Sequence, residues 1–414
     1  MIPKPLQLKP LAALAVLCMP MLAAQAQTSL TCNTLFGASV TVGANSAQVC
    51  ATTLENLYAR GIRDIDALFP GYQGNEAVVS NARLTGVATN ISYAQNSADL
   101  RFTIPDLGIN ELFQGSTRVN SARLLKDFLA NNGDLRGRLV RAQANNSPNN
   151  AITGPGGVLT NAVTSDFDGS FGDMATRIAT SLPSAQGGSG NLIGIGMVVS
   201  KFDIAGTSVK TLSIPLSYTV RNDIDPRRQA LLRGGIGVVD SEGTKAYNAR
   251  FSAGYRFPMS DEWTLTPMLG GAVTGSKDTS VYTGILNASV ASTYAIELGG
   301  FDLTVGNMLG YYLSFKPPGG NAGVDPGLGQ LALRNGVLLS QPITIGGSKM
   351  SVEYGLSDTR YLGGSLYQKN SQDLSVSLGT NKSAFSARSF FRATLLLQRA
   401  RESKGVALNV NYWF

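Results

Sequence analysis

The last nine residues of the chain, 406–414, alternate between two kinds of side chain, with Trp413 as the one exception. The first kind is apolar throughout and comprises Val406, Leu408, Val410, Tyr412 and Phe414. The second is smaller and more polar, with Asn409 and Asn411 among its members. Because successive side chains of a strand point to opposite faces, one face of this segment is wholly apolar and ends in aromatic residues. This pattern is typical of the wall of a transmembrane β-barrel, and an ordinary sandwich strand is the alternative.

About eleven further candidate strands precede this segment. In the clearest of them, 247–257, aromatic residues and alanines alternate with polar residues and arginines. The twelve candidates lie at 193–199, 211–220, 232–238, 247–257, 263–272, 290–298, 301–315, 331–339, 350–357, 374–378, 385–397 and 406–414. We therefore predict a mainly β protein in which residues 190–414 form an antiparallel transmembrane β-barrel of about twelve strands.

The connections between these candidate strands alternate in length. We expect short periplasmic turns at 223–228, 258–262, 299–300, 342–348 and 380–383. Longer extracellular loops are expected at 275–289, 316–328 and 362–371. Short inner turns and long outer loops are the usual asymmetry of outer-membrane barrels.

The start of the chain indicates export. Lys4 and Lys9 precede an apolar run, and Ala24 and Ala26 provide the small-x-small pattern of a signal-peptidase site. We interpret residues 1–26 as a signal peptide that is removed in the mature protein. Together with the strand pattern, this predicts a location in the outer membrane of a Gram-negative cell.

Two cysteines remain after the signal peptide is removed. Cys18 lies in the apolar run and is interpreted as part of the discarded peptide; a lipoprotein is the alternative. Cys32 and Cys50 form an even, isolated pair in an exported chain, which predicts a structural disulfide. In the chain-entropy model, closing a loop of this length stabilises the fold by on the order of 3 kcal/mol.

Composition excludes several functions. Histidine is absent, so barrel enzymes that use a histidine base and histidine-rich metal sites are disfavoured. The formal net charge of +7 is spread along the chain without basic runs interleaved with aromatic residues, which argues against nucleic acid. We expect no enzymatic activity, no cofactor and no metal.

Residues 27–146 show a different, α+β pattern. We predict helices at 53–69, 121–131 and 134–144, and a hairpin of strands 88–93 and 100–104. Residues 147–189 are interpreted as a linker, mainly 147–161, followed by an amphipathic helix over 167–182 and a glycine-rich joint.

The face of the candidate strands opposite the apolar one is rich in arginine. We predict that it lines the barrel lumen with Arg221, Arg233, Arg250, Arg256, Arg334, Arg388, Arg392, Glu297 and Glu353. One interpretation is a ladder of charges that pairs with whatever fills the barrel. The other is an open, anion-favouring channel, since fixed positive charge raises the local anion concentration.

The amphipathic helix ahead of the first strand carries three acids near its predicted start. These are Asp166, Asp168 and Asp173, and the apolar stripe of the helix includes Phe171, Met174 and Ile178. Acids at a helix N-terminus are favourable in themselves. The alternative is that the helix plugs the lumen and its acids contact the lumen arginines.

Two segments carry a family resemblance. Residues 353–361, EYGLSDTRY, and 383–392, SAFSARSFFR, resemble the solitary autotransporter-type barrel family, and the whole barrel half resembles autotransporter translocator barrels. The C-terminal Val410, Tyr412 and Phe414 resemble the signal by which the barrel-assembly machinery recognises outer-membrane proteins. The resemblance implies a monomeric, lipid-embedded anchor that presents its own N-terminal region. A porin-like diffusion channel is the alternative.

Overall fold

A computed structural model describes residues 32–175, 191–204, 206–225, 227–318, 322–380 and 390–414. The predicted signal peptide and Cys18 lie outside the described residues. Within the described ranges, no helix has the length and apolar character needed to cross a membrane.

The N-terminal region is built on one antiparallel six-stranded sheet with the order β2-β1-β3-β4-β5-β6. Its strands are β1 Phe36–Val42, β2 Asn45–Ala51, β3 Val78–Leu84, β4 Val87–Tyr93, β5 Leu100–Ile104 and β6 Ile109–Phe113. The predicted hairpin corresponds to the pair β4 and β5. The other four strands are short and were missed by the sequence analysis.

Helices cover this sheet. They are α1 Leu54–Tyr58, α2 Ile65–Leu68, α3 Arg118–Asn131 and α4 Gly133–Asn146, with a π-helical turn, Ala59–Arg63, between the first two. Thr53, Thr117 and Asn132 each accept a hydrogen bond from a backbone N–H in the first turn of the helix that follows, which fixes where α1, α3 and α4 begin. Helices predicted from periodicity are therefore confirmed within a few residues.

A disulfide joins Cys32 to Cys50, as predicted, with Cα atoms 5.4 Å apart. Cys50 lies on β2, which is an edge strand of the sheet, and it pairs in register with Gly37 of β1. The bond therefore ties the segment ahead of β1 to the edge of the sheet.

The C-terminal part is a closed antiparallel barrel of twelve strands, as predicted. The strands are β7 Leu192–Ile204, β8 Thr207–Arg221, β9 Gln229–Ser241, β10 Thr244–Pro258, β11 Trp263–Ser276, β12 Val281–Glu297, β13 Asp302–Phe315, β14 Gly329–Ile345, β15 Ser348–Gly363, β16 Asn370–Thr380, β17 Phe390–Ala400 and β18 Ser403–Trp413. Pairing of β18 with β7 closes the sheet, and Phe414 exchanges two backbone hydrogen bonds of 2.9 Å with Ile193. Closure leaves no strand edge that lipid would have to face.

Alternation sorts the strand residues into an apolar exterior and a mostly buried interior. On β10, Tyr247 and Phe251 are each 60% exposed on the outside, whereas Asn248, Ser252 and Arg256 are buried inside. Exposed Leu, Ile, Val and aromatic side chains occur on the outer face of every strand of the barrel. A continuous apolar outer surface of this kind belongs in lipid, so the protein is an integral outer-membrane β-barrel.

The predicted sorting of loops by length is correct for the long connections 316–328 and 364–369 and wrong for 275–289. Strand β12 begins at Val281, so the expected long loop 275–289 shrinks to the turn 277–280. Most of the short turn predicted at 380–383 lies outside the described residues. The β-branched and small residues at 281–289 were taken for a loop because their alternation is weak.

The N-terminal region sits on one end of the barrel. We call this the domain end; it carries the connections 205–206, 242–243, 277–280, 316–328, 364–369 and 401–402. The terminal end is where β7 begins and β18 ends. At the domain end, Thr244 Oγ1 donates to the Thr52 carbonyl at 2.7 Å and the Tyr367 N–H donates to the Ala144 carbonyl at 3.0 Å. The N-terminal region therefore contacts the barrel directly and is not connected to it by the chain alone.

We expect the disulfide to stabilise the N-terminal region and not the barrel. Replacing Cys32 and Cys50 by Ser should lower the unfolding free energy of that region by about 3 kcal/mol through loop entropy. Unfolding followed by domain-specific proteolysis measures this, while heat-modifiable gel migration reports the barrel as a control. Two reactive thiols per mature, denatured and unreduced wild-type chain would show that the bond is absent.

Candidate functional site: the barrel lumen and its central helix

Helix α5, Val158–Ala175, lies inside the barrel. It packs against the wall formed by β10 to β14, mostly β12 and β13. Ahead of the helix, Asn149 Nδ2 donates to Thr207 Oγ1 at 2.6 Å at the domain end. Its later turns lie beside Arg392, on the terminal half of β17. The chain therefore runs through the lumen from the domain end toward the terminal end.

The helix begins nine residues earlier than predicted. Residues 158–161, assigned to the linker, are helical, and Val158, Leu159 and Val163 are almost completely buried. Burial in the lumen overrides the weak helix propensity of this valine- and threonine-rich stretch. Asp166 and Asp168 consequently lie in the middle of the helix, so interpreting them as N-terminal acids is wrong.

Two phenylalanines of the helix fit into a groove of the barrel wall. Gly306 of β13 pairs in register with Gly336 of β14. A Cβ on Gly306 would overlap the ring of Phe171, and a Cβ on Gly336 would lie 2.8 Å from Phe167 Cζ. The two rings stack with centroids 4.7 Å apart. Paired glycines thus allow the rings to reach the strand backbone.

Arginines of the wall hold the helix by its backbone. Arg233 Nη2 and Arg256 Nη2 each donate to the Gly169 carbonyl at 3.0 Å. Arg392 Nη1 lies 3.4 Å from the Gly172 carbonyl. A side chain on Gly169 would overlap the Arg233 guanidinium, so glycine is needed for this approach. The contacts fall in the second half of the helix, where the helix dipole favours positive charge.

Asp166 pairs with neutral donors rather than with arginine. Its Oδ2 accepts hydrogen bonds from Asn287 Nδ2 at 2.8 Å, Ser289 Oγ at 3.1 Å and Tyr312 Oη at 2.9 Å. The residue is 2% exposed, so these three bonds replace the water that a carboxylate would otherwise hold. For Asp166, the predicted contact with lumen arginines is therefore wrong.

Asp168 faces a cavity on the other side of the helix. The cavity has a volume of about 280 Å³ and lies between α5 and the wall of β7, β8 and β15 to β18. Arg233, Arg250, Arg334 and Arg392 also line it. The Asp168 side chain is open to this cavity although it lies deep inside the barrel. Asp168 therefore interacts electrostatically with arginines of the lumen wall, as expected if the helix plugs the lumen.

Two buried ion pairs neutralise part of this basic lining. Arg334 Nη2 lies 2.8 Å from Asp373 Oδ2, and both side chains are 4% exposed. Arg334 also lies over the Phe167 ring, with its Cζ 5.2 Å from the centroid. Arg392 Nη2 lies 2.5 Å from Glu353 Oε2. Each pair links two strands of the wall, and its arginine also contacts α5, at the Phe167 ring and at the Gly172 carbonyl.

The remaining predicted site residues are scattered. Arg221 is buried at the terminal end of β8, and Glu297 is exposed at the same end of β12. Asp173 and Met174 belong to α5. Arg388 and Ile178 lie outside the described residues.

Sequence analysis missed Asp373 and the polar cluster around Asp166. Asp373 has the inward parity of its strand, but the predicted strand began one residue later, at Leu374. Nothing in the sequence marks Gly306 and Gly336 as contact sites for the helix. A strand glycine can be recognised as such a site only when the side chain that packs against it is known. In the described part of the chain, no group of three or more histidine, cysteine or acidic side chains could hold a metal ion.

No family model matches this sequence, and no curated protein matches it. Solved structures are similar to the barrel. The β domain of the Bordetella autotransporter BrkA is 11% identical, covers 54% of this chain and 98% of its own, and has a TM-score of 0.42. The translocator domain of NalP from Neisseria meningitidis is 15% identical, covers 61% and 99%, and has a TM-score of 0.40.

An outer membrane channel from Pseudomonas putida F1 is 11% identical to this chain. It covers 56% of this chain and 97% of its own, with a TM-score of 0.38. The similarities thus include both translocators and a channel. Autotransporter translocator barrels, which the sequence was predicted to resemble, are therefore among the structures that are similar to this chain, at low identity.

The contact between Gly306 and the Phe171 ring predicts that substitutions at these two residues have coupled effects on stability. Gly306→Val should destabilise the protein by about 1–3 kcal/mol through overpacking, and Phe171→Ala by about 3–5 kcal/mol through cavity formation. The double variant should lose at least about 1 kcal/mol less than the sum, since the smaller side chain makes room for valine. Urea unfolding of the full mature protein measures all three. Gly234→Ala, which has ordinary contacts, is the control, and purely additive losses would contradict the packing.

Proposed function

We propose that this protein is a membrane anchor that presents its N-terminal region at the cell surface. The observation that carries the proposal is the path of α5 through the lumen, with Phe167 and Phe171 in the glycine groove and Gly169 held by two arginines. A helix seated in this way connects a domain at one end of the barrel to a strand that starts at the other.

The positions of the barrel ends support one orientation in the membrane. Leu192 and Trp413 both lie at the terminal end, which in an even-stranded outer-membrane barrel faces the periplasm. The domain end, with the sheet region docked on it, then faces outward. This supports display at the surface rather than retention in the periplasm.

We further propose that the protein has no enzymatic activity, because its sequence lacks histidine and its lumen acids are used in structural contacts. The C-terminal strand, with Val410, Tyr412 and Phe414, is proposed as the segment that the barrel-assembly machinery recognises. The barrel closes within one chain, which supports a monomer in lipid.

A second candidate function is an anion-favouring channel. The observation that favours it is the cavity beside α5, which is lined by four arginines and two aspartates among its charged residues. Residues from both ends of the barrel line this cavity, including Phe202 toward the domain end and Trp413 at the terminal end. Displacement of the helix would widen this space into a basic pore.

Surface display predicts a clear labelling pattern. An epitope inserted in the β1–β2 turn at Ala44 should bind antibody on intact cells, because Ala44 is exposed on the docked region. The same epitope at Ile224, which is 95% exposed in a terminal-end turn, should bind only after the outer membrane is permeabilised. The reverse pattern would place the domain in the periplasm and contradict the proposal.

Planar-bilayer conductance separates the anchor from the channel. The full mature chain should pass little current, whereas a chain that begins at Gln186 and lacks α5 should give larger, anion-selective currents. In that shortened chain, Arg250→Glu should reduce the selectivity, while Arg360→Glu on the outer face should not. Equal, large currents from both chains would eliminate the plug and favour the channel.

A further inference from the structure

We propose that the outer face of the barrel binds the phosphate groups of lipid A through Lys201, Lys210, Arg399 and Lys404. This cationic patch lies on the four adjacent strands β17, β18, β7 and β8 at the domain end. The site lies on the exterior of the barrel, and it rests on the proposed function only in that the domain end is placed in the outer leaflet.

The four cations lie at the edge of the lipid-facing surface. Each side chain is exposed and shares the outward parity of its strand. Two residues further into the apolar belt stand Val199, Leu212, Leu397 and Val406, each 42–52% exposed. At about 3.3 Å per residue, the charges therefore stand roughly 7 Å beyond these apolar side chains, at the depth of lipid head groups.

Like charges face each other across the strands of the patch. Arg399 pairs in register with Lys404, and Lys201 pairs with Lys210. Directly opposite side chains have Cβ atoms about 4.5–5.5 Å apart, and like charges in this arrangement are destabilising unless an anion lies between them. Two such pairs on neighbouring strands thus favour a bound anion with more than one charged group.

Nearby acids do not neutralise the patch. Asp203 lies opposite Lys404 in the register, and Asp240 lies opposite Lys210. Asp240 also accepts a hydrogen bond from the Gly243 N–H at 2.8 Å. Asp240 also pairs in register with Lys245. Two further acids, Glu242 and Glu402, lie in the adjoining turns and have partners of their own: Glu242 accepts a hydrogen bond from the Ser208 N–H, and Glu402 lies 4.0 Å from Arg401. In the described residues, none of the four cations forms an ion pair, whereas Arg360 on β15 lies 2.8 Å from Asp358.

The two rims of the barrel differ in chemistry. Outward positions at the terminal end carry aromatic side chains, including Trp263, Phe301, Tyr412 and Phe414. Aromatic rings are favourable at either membrane interface. A cluster of unpaired cations is favourable only at an interface that has a high density of negative charge. The outer leaflet of the outer membrane provides it, because lipid A carries two phosphate groups on its disaccharide head group.

Native mass spectrometry of the full mature protein in detergent tests the proposal. The probes are doubly phosphorylated lipid A, dephosphorylated lipid A and phosphatidylglycerol. The wild-type protein should bind the first at least about tenfold more tightly than the other two, because charge-assisted bonds to phosphate are lost without it. Lys201→Gln with Lys404→Gln should reduce binding of phosphorylated lipid A by a similar factor.

Arg360→Gln is the matched control, because it removes an outward cation that is already paired. Its lipid A binding should stay within twofold of the wild type, and heat-modifiable migration verifies that every variant is folded. Equal binding of the three lipids by the wild-type protein would overturn the proposal. So would unchanged lipid A affinity in the folded double variant. Because the assay uses detergent, its failure is independent of the surface-labelling result.

Discussion

Closure of the barrel between β18 and β7 is the constraint on which the rest of the structure depends. Lipid offers no hydrogen-bond partner, so each backbone group of the strands must find one in the sheet. The two bonds between Phe414 and Ile193 complete this pairing at the terminal end. Once the sheet is closed, the apolar exterior is in contact with lipid, and the polar interior needs partners inside the barrel.

The interior is filled asymmetrically. One wall, β10 to β14, presents glycines and neutral donors together with Arg256 and Arg334, so that α5 can approach the backbone and bury Phe167 and Phe171. The opposite wall keeps its larger polar side chains and leaves a cavity. Because the arginines donate to carbonyl groups and not only to acids, they can hold the helix without a matching carboxylate for each.

The barrel is predictable from the sequence because alternation along a strand is a local signal that lipid and lumen impose on every residue. The inward direction of Arg233 and Arg256 follows from parity alone. Their shared contact with the Gly169 carbonyl does not, since it joins residues 64 and 87 positions apart. The helix start at Val158 was missed for the same reason, because burial against distant strands decides it.

The position of α4 explains how the sheet region and the barrel act as one unit. Leu135 and Ala142 of this helix belong to the core of the sheet region, whereas Val140 and Ala144 pack with the start of α5 and barrel residues. A single helix therefore contributes to both hydrophobic cores. Tilting the sheet region away from the barrel would expose one side of α4, which costs roughly 25 cal/mol for each Å² of apolar surface. Docking of the sheet region and packing of α5 in the lumen therefore stabilise each other, because both depend on the position of α4.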